Sequence, residues 1–151
     1  MLDRQEEEQF LFPGRIVMQY KYAAGVVGSR FLTELRDNRQ IMGIRCPKCH
    51  RVYVPPRLTC KECFVNLDEW LELSGQGSLS TYTVVYYSEP FHPVESPVFY
   101  GIIQLDGADT GLPHLLGEVE SDSLSIGMRV GPVFKEKREG NILDIKYFKP
   151  L

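Results

Sequence analysis

The chain has 151 residues, of which 43% are apolar and 11% aromatic, and a net charge of −3. This is too apolar for a disordered chain, no run is apolar for long enough to cross a membrane, and the length suits one or two small domains. The charge is uneven: residues 1–29 carry 3 basic and 4 acidic side chains, residues 30–63 carry 8 and 3, and residues 64–151 carry 6 and 13, giving −1, +5 and −7.

The chain starts acidic, with Asp3, Glu6, Glu7 and Glu8, where a secretory leader would be basic and then apolar. The expected compartment is the cytoplasm. Residues 1–15 read as an acidic lead-in that closes at Pro13-Gly14, and residues 16–22 alternate, with Ile16, Met18, Tyr20 and Tyr22 on one side of an extended segment. Gly25 and Gly28 break the pattern. Ser29 can cap a helix from Arg30 to about Asn38 that carries Phe31, Leu32 and Leu35 on one face and Arg30, Glu34 and Asp37 on the other. A helix this short cannot bury its own apolar stripe, so Phe31 and Leu35 are expected against either the rest of the chain or a partner.

All four cysteines follow, as Cys46-Pro47-Lys48-Cys49 and Cys60-Lys61-Glu62-Cys63, with ten residues between the pairs. Two residues between paired cysteines let one tight turn present both sulfurs to a single ion. Two such turns facing each other supply four thiolates to one tetrahedral zinc, and a site filled by four protein ligands is structural. Ile44 and the Val52-Tyr53-Val54 run read as short strands that bring the pairs together. Cys46 to His50 also fits the pattern of covalent haem attachment, but haem leaves the second pair unused. A redox pair should sit at the start of a helix after a strand, which this proline-containing turn does not offer. Spacing alone does not separate zinc from iron. Allowing for four thiolates and a divalent ion, the middle block keeps about +3. Its cations, Arg30, Arg36, Arg39, Arg45, Lys48, Arg51, Arg57 and Lys61, either solvate an anionic metal site or offer a surface for phosphate groups.

From residue 75 onward the pattern is strands and turns. Residues 79–87, 98–105, 114–119, 130–136 and 142–148 read as five strands, separated by signals such as Asp106-Gly107, Gly127 and Glu139-Gly140-Asn141. No helical pattern is long enough to cover a sheet, which argues for a small closed barrel of the OB type. Gly75 and Gly77 are expected to allow a bulge in a long, coiled first strand. The connection 88–97 is stiffened by Pro90, Pro93 and Pro97 and carries Phe91 and Val94, suited to insertion into a partner or to folding over its own barrel. No catalytic constellation is visible: with the cysteines used as ligands no thiol is free, and His50, His92 and His114 have no serine and carboxylate marked beside them. Glu118 and Glu120 share a strand face in an acidic block and read as solvated.

The order of these pieces carries a resemblance. Tyr20-x-Tyr22-x-x-Gly25, Phe31-Leu32, Gly43-Ile44-Arg45-Cys46, Val54-Pro55-Pro56-Arg57, Gly75-x-Gly77 with Thr81 and Thr83, Pro97-Val98-Phe99-Tyr100-Gly101 and Ile126-Gly127-Met128-x-Val130 together resemble the small zinc-ribbon OB-fold proteins encoded with thiolases and related acyl-CoA enzymes, once catalogued as a domain of unknown function. The fold expected is mainly β: an N-terminal arm and short helix over residues 1–43, a rubredoxin-like zinc ribbon over 44–66, and a five-stranded OB-fold barrel over 67–151. The resemblance implies a non-catalytic subunit with one structural zinc at Cys46, Cys49, Cys60 and Cys63. Such a subunit binds a thiolase-fold enzyme and helps form or shield its acyl-CoA site. One subgroup serves a thiolase of benzoylsuccinyl-CoA, and aldolase and hydratase partners stay open. On that reading Arg30, Arg45 and Arg57 lie nearest the phosphates of coenzyme A, while Phe31, Leu35, Phe91, Val94 and the arm meet the partner. Ribbons and OB barrels also bind single-stranded nucleic acid, but a barrel block of −7 would repel a polyanion. An independent enzyme is the third reading.

Overall fold

A computed structural model describes residues 10–87, 90 and 92–151 of the chain. One helix, α1 (Gly25–Asn38), precedes β1 (Ile41–Arg45), β2 (Val52–Tyr53) and β3 (Glu69–Leu73), which form a three-stranded antiparallel sheet in the order β2-β1-β3. β4 (Gly77–Val85), β5 (Val98–Leu105), β6 (Gly111–Leu116), β7 (Arg129–Phe134) and β8 (Ile145–Pro150) then close a barrel in the order β4-β5-β6-β8-β7. The mainly β architecture with a five-stranded OB barrel is the one the sequence predicts. The third strand of the ribbon sheet comes from residues 69–73, within the stretch expected to belong to the barrel, and pairs with β1 along its whole length.

The helix begins earlier than Ser29. It starts at Gly25, with Ala24 as an uncapped N-terminal residue and both glycines inside it. A β-carbon on Gly28 would come within 3.3 Å of the Ala24 β-carbon, a tight but tolerable approach. The apolar stripe does not await a partner. Phe31 and Leu35, expected as possible partner contacts, are 3% and 0% exposed and belong to the chain's own core. That core includes Ile41, Val52, Val54 and Leu73 from the ribbon sheet and Leu79, Ile103, Leu112, Ile145 and Phe148 from the barrel. Helix, one end of the ribbon sheet and barrel therefore share a single apolar cluster. A second, smaller cluster of Ile44, Cys46, Tyr53, Cys60 and Leu67 surrounds the cysteines.

A polar latch fixes ribbon to barrel. Asp109, in the turn between β5 and β6, accepts from the Val52 N–H through its carboxylate at 2.8 Å and donates its own N–H to the Val52 carbonyl at 2.8 Å. Beside it the Thr110 hydroxyl accepts from the Val54 N–H at 2.8 Å and donates to the Val54 carbonyl at 2.9 Å. The turn thus imitates a neighbouring strand for the edge of β2, pairing the N–H and C=O groups of Val52 and Val54. Gly75, just before the barrel, and Gly77, the first residue of β4, serve close packing. A β-carbon on Gly77 would lie 2.4 Å from the Gln104 carbonyl oxygen, and Gly75 holds φ +78°. The bulge of β4 lies further on, between Leu79 and Thr81.

Candidate metal centre and its surroundings

The two cysteine turns are built alike. In the first, the Cys46 N–H donates to the Arg51 carbonyl at 2.9 Å and the His50 N–H to the Cys46 carbonyl at 2.9 Å. In the second, the Cys60 N–H donates to the Val65 carbonyl at 2.9 Å and the Phe64 N–H to the Cys60 carbonyl at 3.0 Å. His50 and Phe64 occupy equivalent places with φ of 61° and 55°. His50 therefore shapes its turn. The four sulfurs lie within 4.8 Å of one another. The Cys49 and Cys60 sulfurs are 3.7 Å apart, close to the roughly 3.8 Å that two thiolates show across a tetrahedral ion with bonds of about 2.3 Å.

Electrostatics favour an ion at this point. The Tyr53 hydroxyl stands 3.2 Å from the Cys60 sulfur. Burial opposes a charge on Cys60, but the Tyr53 hydroxyl and the backbone N–H groups of Cys63 and Glu62 outweigh it and hold the thiol down at about 6. Burial, followed by the neighbouring Cys49, Cys60 and Cys46 sulfurs, pushes Cys63 up to about 12. The Tyr53 hydroxyl, bound to Cys60 and buried, is likewise pushed up to about 12. One thiolate discourages the next, so four together need a cation among them. The donor set and its spacing fit a structural zinc.

The arginines sit around this ribbon in different states. The Arg30 guanidinium lies 4.3 Å from the ring centre of Trp70 in β3, and Arg45 pairs with Glu69 of the same strand at 3.4 Å. Arg57 lies 5.3 Å from the ring centre of Tyr53, across the sheet, and lines a cleft of about 360 Å³ with residues 24–28, Pro56 and Leu58. Arg45 is thus partly neutralised, and Arg57 lines a cleft. In the proline-rich connection Val94 is 47% exposed, while Phe91 lies outside the described residues. In the described part of the N-terminal arm, eight large apolar side chains between Phe10 and Tyr22 are 67 to 91% exposed.

His114 is 5% exposed, its Nε2 lies 3.1 Å from the Ile142 carbonyl, and its Nδ1 has no partner. Glu118 binds the Tyr147 hydroxyl at 2.8 Å and Lys149 at 3.1 Å and is held below the usual carboxylate range by those two contacts. Sequence reading missed the hydroxyl of Tyr53 as a partner of Cys60 and the Asp109-Thr110 latch. The first had no signal beyond a tyrosine between the cysteine pairs. The second depends on a turn 56 residues away and had none.

Comparison with known proteins places both domains. Residues 33–68 match the ChsH2 rubredoxin-like zinc ribbon domain, and residues 70–135 match the ChsH2 C-terminal OB-fold domain. A DUF35 domain-containing scaffold protein of Methanocaldococcus jannaschii is 29% identical over 78% of this chain and 86% of its own length. A protein of the same description from Pyrococcus furiosus is 28% identical over 82% and 92%. Among solved structures, a chain of the Ltp2-ChsH2(DUF35) aldolase superposes with TM-score 0.62 at 25% identity, covering 81% of this chain and 93% of that one. A DUF35 family protein of unknown function from Sulfolobus solfataricus gives 0.58 at 27% identity, covering 72% and 78%.

Proposed function

We infer, from the premise that this chain belongs to the family of ChsH2-type zinc-ribbon and OB-fold proteins, that it is a non-catalytic accessory subunit of an acyl-CoA enzyme. The observation that carries this reading is the match over both domains, in order, to relatives named scaffold proteins and to a chain of an aldolase assembly. The described residues agree with it in one respect, since all four cysteines are gathered at a single metal site. The zinc orders the ribbon and takes no part in turnover.

The partner proposed is a thiolase-fold catalytic subunit acting on a β-ketoacyl-CoA, with benzoylsuccinyl-CoA as one candidate substrate. An aldolase is the second reading, and the aldolase structure among the similar chains favours it. The ribbon's cationic side, above all Arg57 in its cleft, contacts coenzyme A phosphates at the junction, with Arg30 and Arg45 reinforcing the local potential. Val94 and the rest of its stiff loop meet the catalytic subunit. Among the described residues no helix is long and apolar enough to cross a membrane, and the proposed setting is the cytoplasm.

Affinity purification of the tagged chain from its own cells, followed by mass spectrometry and metal analysis, tests the reading. A thiolase-fold protein in fixed stoichiometry with one zinc per chain is the expected result. An aldolase would move the assignment to the second reading, and a chain recovered without any acyl-CoA enzyme would refute both. Reversing Arg30, Arg45 and Arg57 to glutamate should weaken acyl-CoA binding by the complex, and unchanged affinity would remove coenzyme A from the proposal.

A further inference from the structure

The two cysteine turns share one backbone plan, and one buried side chain breaks the likeness. His50 and Phe64 each stand four residues after the first cysteine of their turn. Seven residues after that cysteine the first turn has Tyr53 and the second has Leu67. Both are buried in the small cluster around the cysteines, at 1% and 4% exposure. In the second turn this place is taken by a purely apolar side chain. Tyr53 brings a hydroxyl instead, and a buried hydroxyl costs stability unless it is hydrogen-bonded. Its bond goes to a metal ligand: the hydroxyl lies 3.2 Å from the sulfur of Cys60, the first cysteine of the opposite turn. Among the described residues it is the one side-chain oxygen or nitrogen bonded to any of the four sulfurs. A thiolate on an ion has no proton to give, so the hydroxyl donates and the sulfur accepts.

The fold holds that hydroxyl in place from two sides. Successive side chains of a strand point to opposite faces. Val52 and Val54, on either side of Tyr53, enter the core shared with the barrel, while Tyr53 enters the cysteine cluster. Asp109 and Thr110 of the β5–β6 turn bind the backbone of Val52 and Val54 at 2.8 to 2.9 Å. Tyr53 itself pairs with Ile44 of β1, two residues before Cys46. The ring therefore reaches Cys60 from a backbone tied both to the ribbon sheet and to the barrel.

We propose that Tyr53 is a positioning residue for the metal: its O–H donates to the Cys60 thiolate, which strengthens the hold of the four cysteines on the ion and lowers the electron density this sulfur gives to it. Groups that hydrogen-bond a metal ligand from outside typically account for about 10- to 100-fold in metal affinity. The role is independent of the enzyme the chain serves.

Tyr53→Phe, made in the full chain, removes the hydroxyl and keeps the buried ring. Competition with a chelator should show zinc held about 10 to 100 times more weakly by the variant, while the amide chemical shifts of the barrel at saturating zinc match the parent. A second readout is electronic. With iron loaded in place of zinc as a probe, the variant should have a more negative reduction potential, because hydrogen bonds to the sulfurs raise the potential of a thiolate-held iron. Equal zinc affinity in variant and parent would overturn the proposal. So would weaker zinc binding with an unchanged iron potential, which would reduce Tyr53 to a residue that only packs.

Discussion

The ribbon end and the barrel of this protein solve the same stability problem with different means. The barrel cluster has fifteen buried apolar residues drawn from the helix, the ribbon sheet and its flanks, and all five barrel strands. The cluster at the other end has five, two of which are cysteines. At about 1.5 to 3 kcal/mol for each large apolar side chain removed from water, three such residues cannot offset the ordering of two loops, and the metal must supply the difference. The comparison teaches that order in the ribbon is conditional on chemistry, whereas order in the barrel follows from packing.

Removing the metal should break this pairing of regions most visibly. A strong chelator, or Cys60→Ala, should abolish metal binding whose apparent worth in such sites is on the order of 10 kcal/mol. Hydrogen exchange should then become fast at residues 44–67 while barrel amides stay protected. Simultaneous loss of barrel protection would show that the shared cluster of Phe31, Val52 and Val54 transmits the damage. The converse substitution sits in the barrel: Phe148 is 0% exposed, and Phe148→Ala should cost about 3–5 kcal/mol in denaturant unfolding while one metal per chain is retained below the transition.

A smaller effect probes the joint. Asp109→Ala combined with Thr110→Val removes the side-chain partners of the Val52 and Val54 N–H groups, for about 1–3 kcal/mol, and should raise exchange at those two amides before any others. Equal exchange in variant and parent would mean that apolar contact alone aligns the two regions. The smallest effect is a pH dependence confined to the barrel. Burial pushes His114 below its ordinary value near 6.5. Between that value and the lower folded one, the unfolded chain binds a proton that the folded chain refuses, so stability falls as pH drops through 6.5 and levels off below the folded pKa. The loss is at most about 1.4 kcal/mol per pH unit. His114→Asn should flatten that segment of a melting-temperature profile between pH 7.5 and 5. An unchanged slope would assign it to the carboxylates.

Much of this was legible in the residues because it is local. Two Cys-x-x-Cys turns fix the positions of their own sulfurs, and alternation in residues 79–87 and 98–105 marks strands wherever those strands go. The sequence by itself determined the metal ligands, the five barrel strands and the exposed alternation of the arm. Tertiary structure decided the rest. Whether Phe31 and Leu35 face a partner or the chain depends on the ribbon sheet lying beneath them, and that sheet takes its third strand from residues 69–73, which show no pattern of their own. The latch on Val52 and Val54 comes from a turn more than fifty residues away, and the fate of Arg45 depends on Glu69 across a strand pair. Local spacing specifies turns and periods. Which surfaces those periods bury is set by contacts between segments distant in the chain, and no window of sequence contains them.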